Sequence, residues 1–276
     1  MMQIKYTPDN EHYKDMRNDE LLDNFSVDLF QEDEVNLFYT DLDRGVVGSV
    51  VPKSQELELK AYDELSADYF AQRREVGVIN VGEKGTVIVD GDEFELENKD
   101  GLYIGRGSEK ISFSSDSSDD PAEYYILSYP AHKDYPTKLV KKDDAVIQRA
   151  GSDEESNKRK IIKYILPGEV ESCQLVMGMT ILAEGSVWNT MQPHTHERRT
   201  EIYMYFDIEE GEKLFHWMGE PEEIRHLSLE NKQAILSPSW SLHSGVGTRN
   251  YKFIWGMGGE NQDFDDMDDI EKENLN

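Results

Sequence analysis

The chain has 276 residues, of which 37% are hydrophobic and 10% aromatic, enough to pack a core and too many for wholesale disorder. Its 29 basic against 57 acidic residues give a formal charge of −28, a field that repels nucleic acid and anionic membrane, so neither is expected as a partner. The single cysteine, Cys173, rules out an intrachain disulfide or a cysteine metal cage. With no basic-then-apolar leader and no apolar run near the roughly 18 residues of a membrane span, a soluble cytoplasmic protein is expected.

Helical periodicity is weak and is confined to residues 8–23 and part of 56–71. Strand signals dominate from about residue 25: "FSVDLF", "VNLFYTDL", "VVGSVV", "GVINVG", "GTVIVDG", "FELE" and "YYILSY" are short, rich in β-branched and aromatic residues, and separated by Gly, Asp or Asn. "EKGTVIVDGDEFELE" predicts a hairpin turning at Asp90-Gly91, a dipeptide that tolerates positive φ. The polar stretch 141–160, "KKDDAVIQRAGSDEESNKRK", reads as a linker or surface crossing and places a boundary near residue 150. Beyond it "CQLVMGMTIL", "EIYMYFDI", "KLFHWMG", "QAILSP" and "YKFIWGM" repeat the strand pattern, which as a whole argues for all-β sandwiches or barrels.

A faint repeat links the halves. "QRREVGVINVG" from Gln72 matches "ERRTEIYMYFD" from Glu197 at a shift of 125 residues, a period that means domain duplication. The expected division is 1–150, an N-terminal barrel, and 151–276, a C-terminal one. Under the shift His194, His196 and Glu201 fall on Tyr69, Ala71 and Val76, so the first copy is expected to lack metal ligands.

The chemistry concentrates in "MQPHTHERRTEIYMYF", residues 191–206. His194 and His196, two apart on a strand, point to one face. Glu201 lies five beyond His196, so "ERRT" must bend, or Glu201 must begin the next strand, for its carboxylate to reach the same point. "LSPSWSLHSGVG" offers His243 as a fourth ligand. Imidazole with carboxylate suits Zn, Fe, Mn or Ni. A lone His-X-His is more often structural, but this longer pattern is more specific. His216 and His226 lack such companions and read as structural, with proton transfer as the lesser alternative. Tyr203 and Tyr205 share the Glu201 face, either filling the barrel or, for Tyr205, relaying a proton. Arg198 shares the parity of the two histidines and would point inward, Arg199 outward. The competing reading of "ERR" is surface ion pairing. Trp240 and Trp255 read as packing residues, and the acidic tail "QDFDDMDDIEKEN" as solvated surface.

"GSVWNTMQPHTHERRTEIYMYF" followed by "SPSWSLHSGVG" resembles the two metal motifs of the cupin superfamily. More closely, "RREVGVINVGEKGTVIVDG", "HTHERRTEIYMYF", "SPSWSLHSGVGT" and "FIWGMGGENQDFDDMD" resemble the 5-keto-4-deoxyuronate isomerase family of pectin breakdown, from about residue 20 to 270. The resemblance implies a tandem cupin-like β-barrel (a bicupin) with a few short helices, one Zn2+ per subunit on His194, His196, Glu201 and His243, and a homohexamer. It implies an aldose–ketose isomerase that converts 4-deoxy-L-threo-5-hexosulose uronate to 3-deoxy-D-glycero-2,5-hexodiulosonate through a metal-stabilised enediolate. Tyr205 and His216 are then candidates for proton transfer, and Arg198 and Lys163 for substrate binding. The alternatives are another metal-dependent cupin enzyme, such as an Fe(II) dioxygenase, and a non-catalytic sugar-binding bicupin.

Overall fold

The computed structural model describes residues 2–276. Its strands gather into two compact β units. The first holds residues up to Lys5, Leu29–Val146 and Tyr164–Val176; the second holds Tyr6–Asp28, Ile147–Lys163 and Met177–Asn276. The main change of unit, at Val146/Ile147, lies beside the expected boundary at 150. Neither unit is one continuous stretch, however, because 6–28 joins the second and 164–176 the first.

Each unit is built on a seven-stranded sheet. In the first, the spatial order is Gln3–Lys5, Val35–Thr40, Val46–Val50, Tyr124–Pro130, Arg74–Asn80, Gly101–Ile104 and Lys138–Val140. In the second it is Val146–Ala150, Arg159–Ile165, Val176–Leu182, Lys252–Gly259, Arg199–Phe206, Gln233–Ser237 and Ser26–Asp28. Arg74–Asn80 and Arg199–Phe206 both stand fifth and are flanked by antiparallel partners, the placement that a 125-residue duplication predicts. Arg74 and Arg199 open these strands, and both are buried.

A smaller sheet completes each unit. In the first unit it comprises Leu57–Glu58, Ile111–Ser115, Gly85–Val89 and Asp92–Leu96; in the second, Glu223–Leu229, Leu214–Glu220 and Ser244–Gly247. The first core draws on both its sheets: Val76, Val78 and Ile126 from the large one pack with Val87, Val89 and Phe113 from the small one. Each fully buried side chain of this size contributes about 1.5–3 kcal/mol relative to exposure. The hydrogen-bonded ladders form open sheets rather than a continuous closed ring.

The Asp90-Gly91 turn is present as expected. Both residues have positive φ (52° and 97°), joining Gly85–Val89 to Asp92–Leu96 as a two-residue hairpin. Of the helical expectations, 8–23 yields a 3-10 turn at His12–Asp15 and one α-helix, Asn18–Phe25. The 56–71 stretch yields a short strand and two 3-10 turns, Asp63–Leu65 and Phe70–Gln72, a run too short of apolar period to nucleate more. The 141–160 stretch is a correction. It is no plain linker, because it supplies the edge strand Val146–Ala150 and the start of Arg159–Ile165. Its outward-facing polar residues disguised an edge strand, which tolerates them. No helix among the described residues is long and apolar enough to cross a membrane.

Candidate metal centre

His194 lies in the two-residue strand His194–Thr195, which pairs with Asp268–Asp269. A turn follows, closed by the Arg199 backbone N–H donating to His196 O at 3.1 Å, and the chain then enters Arg199–Phe206. This is the bend that the His-X-His-X4-Glu spacing requires, and it returns the Glu201 carboxylate to the histidines. His243 comes from the other direction, after the turn in which the Ser241 N–H donates to Pro238 O, and its backbone N–H donates to His194 O at 3.2 Å.

The four side chains converge. Each offers one ligand atom, and those atoms all lie within 4.8 Å of one another. Glu201 Oε2 is 2.8 Å from His243 Nε2 and 3.1 Å from His196 Nε2, and the Nε2 atoms of His243 and His194 are 3.1 Å apart. All four residues are buried, none more than 4% exposed. Surrounding groups orient the rings. His196 Nδ1 donates to the Asp266 carbonyl at 2.8 Å, which leaves Nε2 as the lone-pair nitrogen toward the cluster. His243 Nδ1 meets Ser237 Oγ at 3.1 Å.

The electrostatics suit a cation. Burial, reinforced by the neighbouring imidazoles of His243 and His196, pushes His194 well below its usual value and keeps it neutral. Burial alone would raise Glu201, but the imidazoles of His243 and His196 outweigh it and hold the carboxyl well below the usual range. Three imidazole nitrogens and one carboxylate, buried and mutually crowded, form a donor set that a divalent ion satisfies. The residues present therefore fit a metal.

The cluster opens on a cavity of roughly 150 Å³, lined by His194, His196, Glu201 and Tyr203 with Arg159, Thr180 and Trp255 among others. Arg199, Glu201, Tyr203 and Tyr205 share one face of a strand whose residues are all buried, and the Arg199 Nη2 donates to Asp266 O at 2.7 Å. Arg198 turns outward, and its guanidinium binds Asp266 and Asp268 at 2.5–2.9 Å. The expected orientations of the two arginines are thus reversed. The turn at 196–199 resets the strand alternation, so parity counted from the histidines does not carry across it. Lys163 Nζ lies 3.6 Å over the Phe264 ring.

Tyr205 and His216 are fully buried and bonded to each other, with 2.8 Å between the hydroxyl and Nδ1. Neither lines the cavity, whereas Tyr203 does, with its hydroxyl bonded to Glu201. His226 is exposed. Trp240 packs against Tyr13, with ring centroids 5.0 Å apart, as expected of a packing residue; Trp255 packs tilted against Phe264 at 5.2 Å but also forms cavity wall.

Two contributions escaped the sequence reading. The acidic tail is not merely solvated surface: Phe264, Asp265 and Met267 line the cavity, and the Asp266 carbonyl holds His196. Arg159 lies in the 141–160 stretch that reads as a linker. Its signal lies in "RKIIKYI", where strand alternation puts Arg159 and Ile161 on the face of Lys163.

Comparison with known proteins agrees with this construction. A 4-deoxy-L-threo-5-hexosulose-uronate ketol-isomerase from Lachnoclostridium phytofermentans is 55% identical over 99% of this chain and 100% of its own length. Relatives of the same name from Halalkalibacterium halodurans and Yersinia pseudotuberculosis are 50% and 46% identical, over 99% and 98% of this chain and 100% and 98% of theirs. Among solved structures, an IolB-like protein from Salmonella typhimurium superposes with a TM-score of 0.71 at 11% identity, over 91% of this chain and 97% of that one. Protein Ylba from E. coli does so at 0.53 and 10% identity, over 88% and 97%. The mostly-β, tandem, cupin-like fold expected from the sequence is the one observed. The KduI/IolB family profile matches residues 27–275, and with that span and these relatives the chain belongs to the KduI/IolB family.

Proposed function

We propose that this chain is a metal-dependent ketol-isomerase of 4-deoxy-L-threo-5-hexosulose uronate, moving the carbonyl of the open-chain sugar from C1 to C2 to give 3-deoxy-D-glycero-2,5-hexodiulosonate. One observation carries the reading: a buried three-histidine, one-glutamate cluster opens on a cavity in a chain alike along its whole length to relatives of that name. His194, His196, Glu201 and His243 would hold the ion, and zinc is the ion we favour, one per subunit. The isomerisation removes no electrons from the sugar, so a redox-inert metal is adequate; Fe, Mn and Ni suit the same donors. Held by these four residues, a divalent ion would supply Lewis acidity toward a carbonyl oxygen.

The chain's own groups do the rest. Phe253, Trp255 and Phe264 wall the cavity and exclude bulk water from the reacting carbons. The proton leaving C2 must return at C1. Tyr203 lines the cavity with its hydroxyl donating to Glu201, so it takes up that proton by passing its own to the Glu201 carboxylate and returns it at C1 by the reverse exchange. Tyr205 and His216, bonded to each other, stand behind it with both rings 5.9 Å from the Tyr203 ring, and we assign them the relay and support of Tyr203. A positioned acid–base group of this kind contributes about 10²–10⁴-fold.

A cytoplasmic homohexamer without nucleic-acid or membrane partners completes the proposal. The acidic charge, which repels polyanions and anionic lipid, supports that part of the reading. The deciding experiment follows conversion of the hexosulose uronate by chelator-treated and zinc-restored protein, with light scattering for assembly. Loss of turnover on stripping and recovery with zinc are expected. Full activity in metal-free protein, or none in the restored protein, refutes the reading.

A further inference from the structure

A protein of charge −28 needs a local cation to hold an anionic substrate. Four basic side chains stand near the cluster, and three of them do not line its cavity. Arg198 is bound by Asp266 and Asp268. Arg199 is buried outside the cavity lining, with its Nη2 donating to the Asp266 carbonyl at 2.7 Å. Lys163 covers the Phe264 ring.

Arg159 differs. Among the described residues it is the only arginine or lysine lining the cavity that His194, His196 and Glu201 share. It is partly shielded from solvent, and the hydrogen bond its guanidinium makes runs from Nη1 to the Asn157 carbonyl at 3.0 Å. That bond anchors one corner of the fork and leaves the Nε and Nη2 edge to meet a carboxylate with two parallel donors. Asp265 also lines the cavity, so an anion is drawn to Arg159 and repelled from the Asp265 wall, which orients an open-chain substrate end to end.

We propose that Arg159 binds the C6 carboxylate and thereby selects a uronate over a neutral sugar; the substrate's identity rests on the isomerase reading above. The test compares wild type, Arg159→Lys and Arg159→Met on the uronate and on its neutral counterpart with a hydroxymethyl group in place of the carboxylate. Loss of a charged hydrogen bond predicts a KM for the uronate about 10–100-fold higher in Arg159→Met, with kcat little changed. A smaller rise is expected in Arg159→Lys, and no change for the neutral substrate in either variant. An unchanged uronate KM, or equal losses on both substrates, overturns the proposal. A second arm needs no turnover: zinc-loaded wild type and Arg159→Met are titrated calorimetrically with D-galacturonate and with D-galactose. Weaker galacturonate binding by the variant alone is expected, and equal affinity overturns the subsite. If wild type binds galacturonate through Arg159 but does not isomerise the hexosulose uronate, the isomerase reading falls and the anion subsite stands. If it isomerises without that difference, the subsite falls alone.

Discussion

Charging an imidazole away from water is costly, and at His194 that cost keeps the ring nitrogen available as a donor. The same physics acts at His216, where burial lowers the ring to about 3 from an ordinary 6.5. Between these values the unfolded chain binds a proton that the folded chain does not, so this contribution is complete above about pH 6.5 and is lost as pH falls toward 3. Stability to urea should therefore decline with acidification through that window, by up to about 1.4 kcal/mol per pH unit for this group. His216→Asn should flatten the slope, which urea melts at several pH values would read. A second residue-scale prediction concerns Ser237, whose hydroxyl meets His243 Nδ1. Ser237→Ala should weaken metal binding about 10–100-fold while leaving the fold intact, measured by competition with a chromogenic chelator. The four converging side chains were legible in the sequence because His-X-His-X4-Glu and a distant histidine are an unusual set of donors. The partners that orient them were not: a backbone carbonyl at Asp266 and a hydroxyl at Ser237 carry no residue-type signature.

At the scale of elements, alternation along strands was readable wherever a strand ran straight. Glu201, Tyr203 and Tyr205 do share a face, and the Asp90-Gly91 hairpin turns where its φ-tolerant residues stand. Alternation failed at one point, the turn between His196 and Arg199, and there it exchanged the roles expected of Arg198 and Arg199. A turn changes the parity count by an amount that depends on its conformation, which residue types constrain only loosely. Close packing of elements adds a prediction that spacing alone does not give. A Cβ built on Gly178 would lie 2.1 Å from the Trp255 ring and 2.6 Å from the Ile162 carbonyl. Gly178→Ala must therefore displace a wall of the metal cavity or a neighbouring strand. It should cost about 1–3 kcal/mol in chemical denaturation and raise KM for the substrate.

For the molecule as a whole, the charge of −28 opposes compaction by self-repulsion, and salt screens it. Raising sodium chloride from a few millimolar to about 0.5 M should lift the melting temperature by roughly 2–4 °C per kcal/mol of repulsion relieved; a flat or falling curve in differential scanning calorimetry would mean that the acidic groups are locally compensated. Composition and strand pattern by themselves determined an all-β chain with two β-rich halves, an acidic surface and one clustered set of His and Glu donors, because those properties depend on residue type and short-range periodicity. Only the tertiary structure decided that residues 6–28 join the second unit, that the acidic tail folds over the metal cluster, and that Arg159 rather than Arg198 lines the cavity. These features come from contacts between residues far apart in the chain, such as His196 with Asp266, whose pairing is set by how the sheets close on one another and not by the residues adjacent to either.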